Sequence, residues 1–270
     1  MSAWPFAIVG ERPPELAVKD LSPVTVAVLD SGVDATHPDL AGRVVSAYRL
    51  EGDEEQPQLI EVPSDTNNDV FGHGTAVAGI ICRLAPNARI VDVRVLDNHG
   101  CGSGQAMLAG LRIMVEGKRN NKPRIINLSL ASRAKFKQEI FDLCETAYNA
   151  NQIVVASKRN IPLGDYGFPA ELSNCISVDS DTFPTPYTLE YLSDSIIEFA
   201  AHGEEVVVPA VGGGYTTQTG TSFATPAISA ICTLLVSAYP GLRPFEIKTL
   251  LRALSVNPPP TGTRDDAAHP

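Results

Sequence analysis

Short apolar runs bounded by turn-forming residues alternate, through the first half of this chain, with stretches whose apolar positions recur at helical spacing. Val24–Leu29, Arg89–Val95 and Arg124–Leu128 read as strands, and His73–Leu84, Gln105–Gly117 and Ala134–Ala150 read as helices. Such a series closes through right-handed crossovers, so it predicts an α/β fold with a mostly parallel, twisted central sheet and helices on both faces. In the third helix Phe136, Ile140, Leu143, Cys144 and Ala147 form one stripe, which assigns Cys144 to the core. The second half continues with strands at Ile153–Ala156, Cys175–Val178 and Ile196–Ala200. A long apolar helix follows at Ser222–Tyr239, and Leu242–Leu254 forms a last one after the Pro240-Gly241 break. Pro226 is read as sitting early in its helix, where a missing N–H costs little. Leu50–Asp69 is polar, acidic and without period, and reads as a loop.

A length of 270 residues at 44% hydrophobic content supports one sizeable core. The expected division is an N-terminal extension over residues 1–23, one domain over 24–256, and a Pro-rich, disordered tail over 257–270. A net charge of −10 argues against nucleic acid or an anionic membrane as partner. No basic, apolar leader opens the chain, and no apolar run reads as a membrane span. Five scattered cysteines without metal-type spacing suit free thiols in a reducing compartment, so the expected location is cytoplasmic.

Three short strings carry the chemistry. Leu29-Asp30-Ser31-Gly32 puts an acid at the carboxyl end of a buried strand, where open α/β sheets place ligands. Gly72-His73-Gly74-Thr75 and Gly220-Thr221-Ser222-Phe223-Ala224-Thr225-Pro226 put an imidazole and a hydroxyl at helix starts, flanked by small residues that admit a substrate backbone. Taken singly, each string also suits a cap or a turn. Together they read as a Ser-His-Asp triad of Ser222, His73 and Asp30.

With Asp34, His37-Pro38-Asp39-Leu40 and Ile126-Asn127-Leu128-Ser129-Leu130, these strings resemble the signature motifs of the subtilisin-like serine proteases. The resemblance covers roughly Val24 to Leu254. It implies a three-layer subtilisin-like fold, a peptide or protein substrate and no cofactor. By the same resemblance Asn160, after the apolar run Ile153–Ala156, donates to the oxyanion together with the Ser222 N–H. Gly102, Ser103 and Gly104 form an edge segment that pairs with extended substrate. Ser129, Leu130, Ala131 and Ser132 form one wall of the pocket for the residue before the cut, and Lys158 and Arg159 belong to the other.

Several positions depart from the family pattern. No insertion interrupts His73–Leu84, so the usual calcium loop is missing, and Asp39 is read as a turn cap. No metal site is expected. Only about 23 residues precede the first core strand, short of a folding prodomain. His37, His99, His202 and His269 are read as surface or structural residues. Where the family has small residues before the oxyanion Asn, this chain has Ser157-Lys158-Arg159, and Ala131-Ser132 replaces two glycines. The pocket is therefore expected to be narrow. Arg159 either selects an acidic residue or pairs with Asp165 or Glu171 and closes the pocket. The expected activity is a serine endopeptidase of restricted specificity with a regulatory or substrate-presenting protein partner. A transpeptidase and a catalytically silent binding module are the alternatives.

Overall fold

The computed structural model describes residues 21–52, 57–117, 122–160 and 166–256. The expected extension (through residue 20) and the tail lie outside these residues.

In chain order the elements are β1 (Val24–Asp30), β2 (Val44–Glu51), β3 (Gln58–Val62), α1 (His73–Leu84), β4 (Ala88–Arg94), α2 (Gly104–Glu116) and β5 (Ile125–Leu128). There follow α3 (Lys137–Asn149), β6 (Ile153–Ser157), β7 (Ile176–Asp181), β8 (Leu189–Tyr191), β9 (Phe199–His202), β10 (Val206–Pro209), β11 (Tyr215–Gln218), α4 (Thr221–Ala238) and α5 (Pro244–Leu254). Nine strands form one sheet in the order β3-β2-β4-β1-β5-β6-β7-β9-β8, and β10 and β11 form a separate hairpin. Within the large sheet only the two outermost pairs, β2–β3 and β8–β9, are antiparallel.

Alternation along β1 explains the three layers. Val26 and Val28 join the cluster that packs α1, α4 and α5 on one face, while Ala27 and Leu29 join the cluster that packs α2 and α3 on the other. All four are fully buried, which a central parallel strand requires. β1 also lies where the strand order reverses, between β4 and β5, so a crevice opens beyond its carboxyl end. Asp30 is the last residue of β1.

Three expectations need correction. Leu50–Asp69 is not all loop, because β3 lies within it and pairs with β2; as an edge strand that exposes Gln58 and Glu61 it lacks an apolar face to announce it. The helix expected over Ala134–Ala150 begins as a 3₁₀ turn at Ala134–Phe136 before α3. One helix, α4, does have the length and apolarity of a membrane span, but 89% of it is buried as the central core helix.

Candidate active site

Asp30 is fully buried at the end of β1, and its Oδ1 accepts hydrogen bonds from the Ser31 N–H at 2.8 Å and from His73 Nδ1 at 2.8 Å. Because an ionised carboxylate only accepts, this contact fixes the proton of neutral His73 on Nδ1 and leaves Nε2 with a free lone pair. Burial opposes a charged imidazole here. The Asp30 charge and hydrogen bond, with the charge of Asp69, outweigh that cost and raise the His73 pKa above its ordinary value.

The start of α1 is pinned from both sides. Asp69 accepts from the Gly72 N–H at 2.8 Å and, through its other oxygen, from the Thr75 N–H and hydroxyl at 3.0 and 2.7 Å. The Gly74 N–H donates to Ser31 Oγ at 3.0 Å. A Cβ on Gly74 would fall 2.1 Å from the Gly32 carbonyl oxygen, so only glycine lets α1 rest against the loop after Asp30.

Ser222 lies in the first turn of α4, and its hydroxyl donates to the Ser129 carbonyl at 3.1 Å. Pro226 is the sixth residue of that helix, beyond the four positions whose N–H groups lack helical partners, which corrects the expectation made for it. Its missing N–H deprives the Ser222 carbonyl of its i+4 donor. Ser129 Oγ supplies the replacement at 2.9 Å. Asn127 donates to Ser129 Oγ at 3.1 Å and accepts from Ser229 Oγ at 2.7 Å, which ties the end of β5 to α4.

Asn160 stands beside the α4 start. The Thr221 hydroxyl shares its proton between the Lys158 carbonyl at 2.8 Å and Asn160 Oδ1 at 3.0 Å, and Oδ1 also accepts from the Thr221 N–H at 3.4 Å. With the acceptor end of the amide held, its NH₂ group remains to donate elsewhere. The macrodipole of α4 adds partial positive charge at the same place.

The walls of the acyl pocket are close together. Ser132 exchanges two backbone hydrogen bonds with Phe168, at 2.8 and 2.9 Å, and the Arg159 N–H donates to the Tyr166 carbonyl at 2.9 Å. A Cβ on Gly167 would meet Arg159 Cδ at 2.6 Å and Ala131 Cβ at 2.9 Å. The Arg159 stem and Ala131 therefore converge over Gly167. Glu171 Oε1 accepts from the Tyr166 and Gly167 amides at 2.9 and 3.0 Å, and Asp165 lies outside the described residues. Lys158 gives its ammonium to Asp179 on β7 and lies near the Tyr166 ring, so its charge is taken up away from the cleft. Ser103 serves as N-cap of α2, accepting from the Ala106 N–H at 3.1 Å, while Gly102 and Gly104 border a cavity of about 390 Å³ that Leu130, Ala131, Ser132 and Arg159 also line. A second cavity, of about 320 Å³, opens beside His73 between Phe71, Val211 and Phe223.

The profile described as the Subtilase family matches residues 22–263. The chain belongs to the subtilase family. It is 30% identical over 227 residues to the intracellular serine protease of Paenibacillus polymyxa, covering 78% of this chain and 66% of that one. It is 30% identical to thermitase of Thermoactinomyces vulgaris, over 84% of this chain and 80% of that one. The matched region spans 60% of the length of subtilisin E from Bacillus subtilis. Among solved structures, sphericase superposes with a TM-score of 0.73 at 26% identity, over 93% of this chain and 88% of that one. A cold adapted subtilisin-like serine proteinase superposes with a TM-score of 0.69 at 25% identity, over 87% and 82%. The fold is thus the three-layer subtilisin-like α/β fold, and the chain is a subtilisin-like serine protease.

Within this subtilase the motif flanks do structural work. His37 is buried and its Nε2 binds the Gly214 carbonyl at 3.0 Å, His202 Nδ1 accepts from the Phe183 N–H at 3.2 Å, and His99 is exposed; His269 lies outside the described residues. Asp39 is not the turn cap. Asp34 is, through Thr36, and its second oxygen accepts from Gly212 in the β10–β11 turn at 3.0 Å, while Asp39 accepts from the Tyr215 hydroxyl at 3.0 Å. Sequence reading missed Asp69, Thr221 and the Ser129 hydroxyl. Of these only Asp69 carried a signal, an acid shortly before a helix start.

Proposed function

We propose that this subtilase is a serine endopeptidase that cleaves after small residues through Ser222, His73 and Asp30. The observation that carries the reading is the 2.8 Å hydrogen bond between buried Asp30 and His73, which leaves Nε2 as the base. In the reaction the Ser222 hydroxyl gives up its bond to the Ser129 carbonyl and donates to Nε2 instead. His73 takes the hydroxyl proton as Oγ bonds to the substrate carbonyl carbon, and the carbonyl oxygen becomes an oxyanion. Asn160 NH₂ and the Ser222 N–H stabilise that charge. His73 then returns the proton to the leaving amine as the C–N bond breaks, and water hydrolyses the acyl-enzyme by the same route in reverse order.

The convergence of Arg159 and Ala131 over Gly167 supports a shallow pocket that favours Ala, Ser or Gly before the cut. Restricted recognition suits maturation of a defined peptide or protein. The free thiols of all five cysteines, together with the name of the Paenibacillus relative, support a cytoplasmic location. Mass analysis of every product from a diverse peptide library tests the activity. Hydrolysis adds one water to the summed products, whereas transfer to an amine adds none.

A further inference from the structure

The 390 Å³ cavity shares Ala131, Ser132 and Arg159 with the pocket for the residue before the cut and extends from it past Leu130 to Leu96 and Met107. Its floor is apolar, formed by Leu96, Met107 and Leu130. Its rim carries two exposed cations, Arg133 and Lys135, brought there by the 3₁₀ turn that precedes α3, and the half-buried Arg159 lines it from the wall over Gly167. The turn is held against the cleft by Phe136, whose ring occupies the space a Cβ on Gly104 would need, 2.1 Å from its Cε2. Lys135 Nζ lies 5.2 Å from the centre of that ring, and Lys137 Nζ lies 5.2 Å from the ring of Phe168 on the same wall.

The charge placement runs against the rest of the molecule. The chain has 31 acidic and 21 basic residues, yet Arg133-Ala134-Lys135-Phe136-Lys137 holds three cations and no acid. Among the described residues none of these three forms an ion pair within 4.0 Å, whereas Lys158 nearby is neutralised by Asp179. Gly102, Ser103, Gly104 and Leu130, Ala131, Ser132 line the same cavity as Arg133 and Lys135, so a peptide extended between the two segments, as the family resemblance implies, would run beside this rim. Net negative charge elsewhere would repel an acidic peptide, so a local cationic rim concentrates its attraction at one place.

We propose that the cavity is a subsite for an acidic side chain at a fixed position on the acyl side of the cut, recognised by Arg133 and Lys135. The substrate class is therefore a peptide with a small residue at the cut and an Asp or Glu upstream of it. The proposal rests on the endopeptidase reading for the direction of the bound peptide, but its test does not require turnover.

The test uses fluorescein-labelled peptides that carry Glu or Gln at each upstream position in turn, with binding to Ser222→Ala measured by anisotropy. At one position the Glu peptide should bind about fivefold to tenfold more tightly at low salt, and the advantage should fall below about twofold near 0.5 M salt, where exposed charges are screened. Arg133→Gln/Lys135→Gln should abolish the advantage and leave the Gln peptide's affinity unchanged. Both residues are exposed, so the double variant keeps its core. A Glu/Gln ratio near one at every position, no binding of the Glu peptides, or a ratio that survives the double substitution would overturn the proposal. Absence of cleavage by the wild-type protein would instead overturn the endopeptidase reading.

Discussion

Ser129 and Ser222 hold each other reciprocally: the Ser222 hydroxyl donates to the Ser129 carbonyl at 3.1 Å, and the Ser129 hydroxyl donates to the Ser222 carbonyl at 2.9 Å. The second bond exists because Pro226 cannot donate to that carbonyl, so one residue of β5's exit loop completes the helix that carries the nucleophile. Ser129→Ala should therefore leave two groups short of a partner, the Ser222 carbonyl and the Asn127 amide. The expected loss is about 1–3 kcal/mol of stability, read by urea unfolding, with kcat reduced because the first turn of α4 loosens. Unchanged stability would show that water replaces the hydroxyl at no cost.

Asn160 owes its orientation to Thr221. Asn160→Ala should lower kcat by about 10²–10³-fold with KM nearly unchanged, the usual signature of a lost oxyanion donor. Thr221→Val, which keeps the shape but removes the hydroxyl, should give a smaller loss of the same kind. Equal KM increases in both variants would mean instead that Asn160 binds ground-state substrate.

The raised His73 pKa sets the pH dependence. His73 must be neutral to act as base, so the ascending limb of kcat/KM against pH should have its midpoint above 6.5. Asp30→Asn should move that midpoint down and lower kcat by about 10⁴-fold. The stability linkage has the opposite sense: the raised pKa stabilises the fold fully below the unfolded value, and the contribution is lost as pH rises through the folded one. A midpoint at or below 6.5 in the wild type would contradict the electrostatic account.

Arg159 and Ala131 fill the space over Gly167. Arg159→Gly should open that space and extend cleavage to bulky apolar residues before the cut, measured as the ratio of kcat/KM for Phe and Ala substrates. A gain of about tenfold or more in that ratio is expected, the scale of a few buried methylenes. Efficient cleavage after Phe by the wild type would contradict a filled pocket.

How much of this was legible in the sequence depended on whether one short segment carried the signal. An apolar run ending in Asp placed Asp30 at the end of β1, and small-residue helix starts placed His73 and the region of Ser222. β11 was invisible because all four of its residues are exposed, leaving no alternation to read. The Ser129–Ser222 pair joins residues 93 apart in the chain, and nothing local marks either as the other's partner. Asp34 and Asp39 sit in one turn with similar local signals; Asp34 caps it locally through Thr36, whereas the contacts of Asp34 with Gly212 and of Asp39 with Tyr215 come from the docked β10–β11 hairpin, which nothing local announces. Arg159 was ambiguous for the same reason, since its stem packs on Gly167 from a separate loop.

The central claim is that Ser222 is a nucleophile activated by His73. Intact-mass analysis after treatment with a fluorophosphonate probe, followed by peptide mapping, tests it most directly. One adduct per chain, located on Ser222 and absent from both Ser222→Ala and His73→Ala, is the predicted result. Peptide cleavage should disappear from the same two variants while their thermal unfolding stays cooperative. Undiminished turnover by purified Ser222→Ala, or labelling at another residue with Ser222 unmodified, would contradict it.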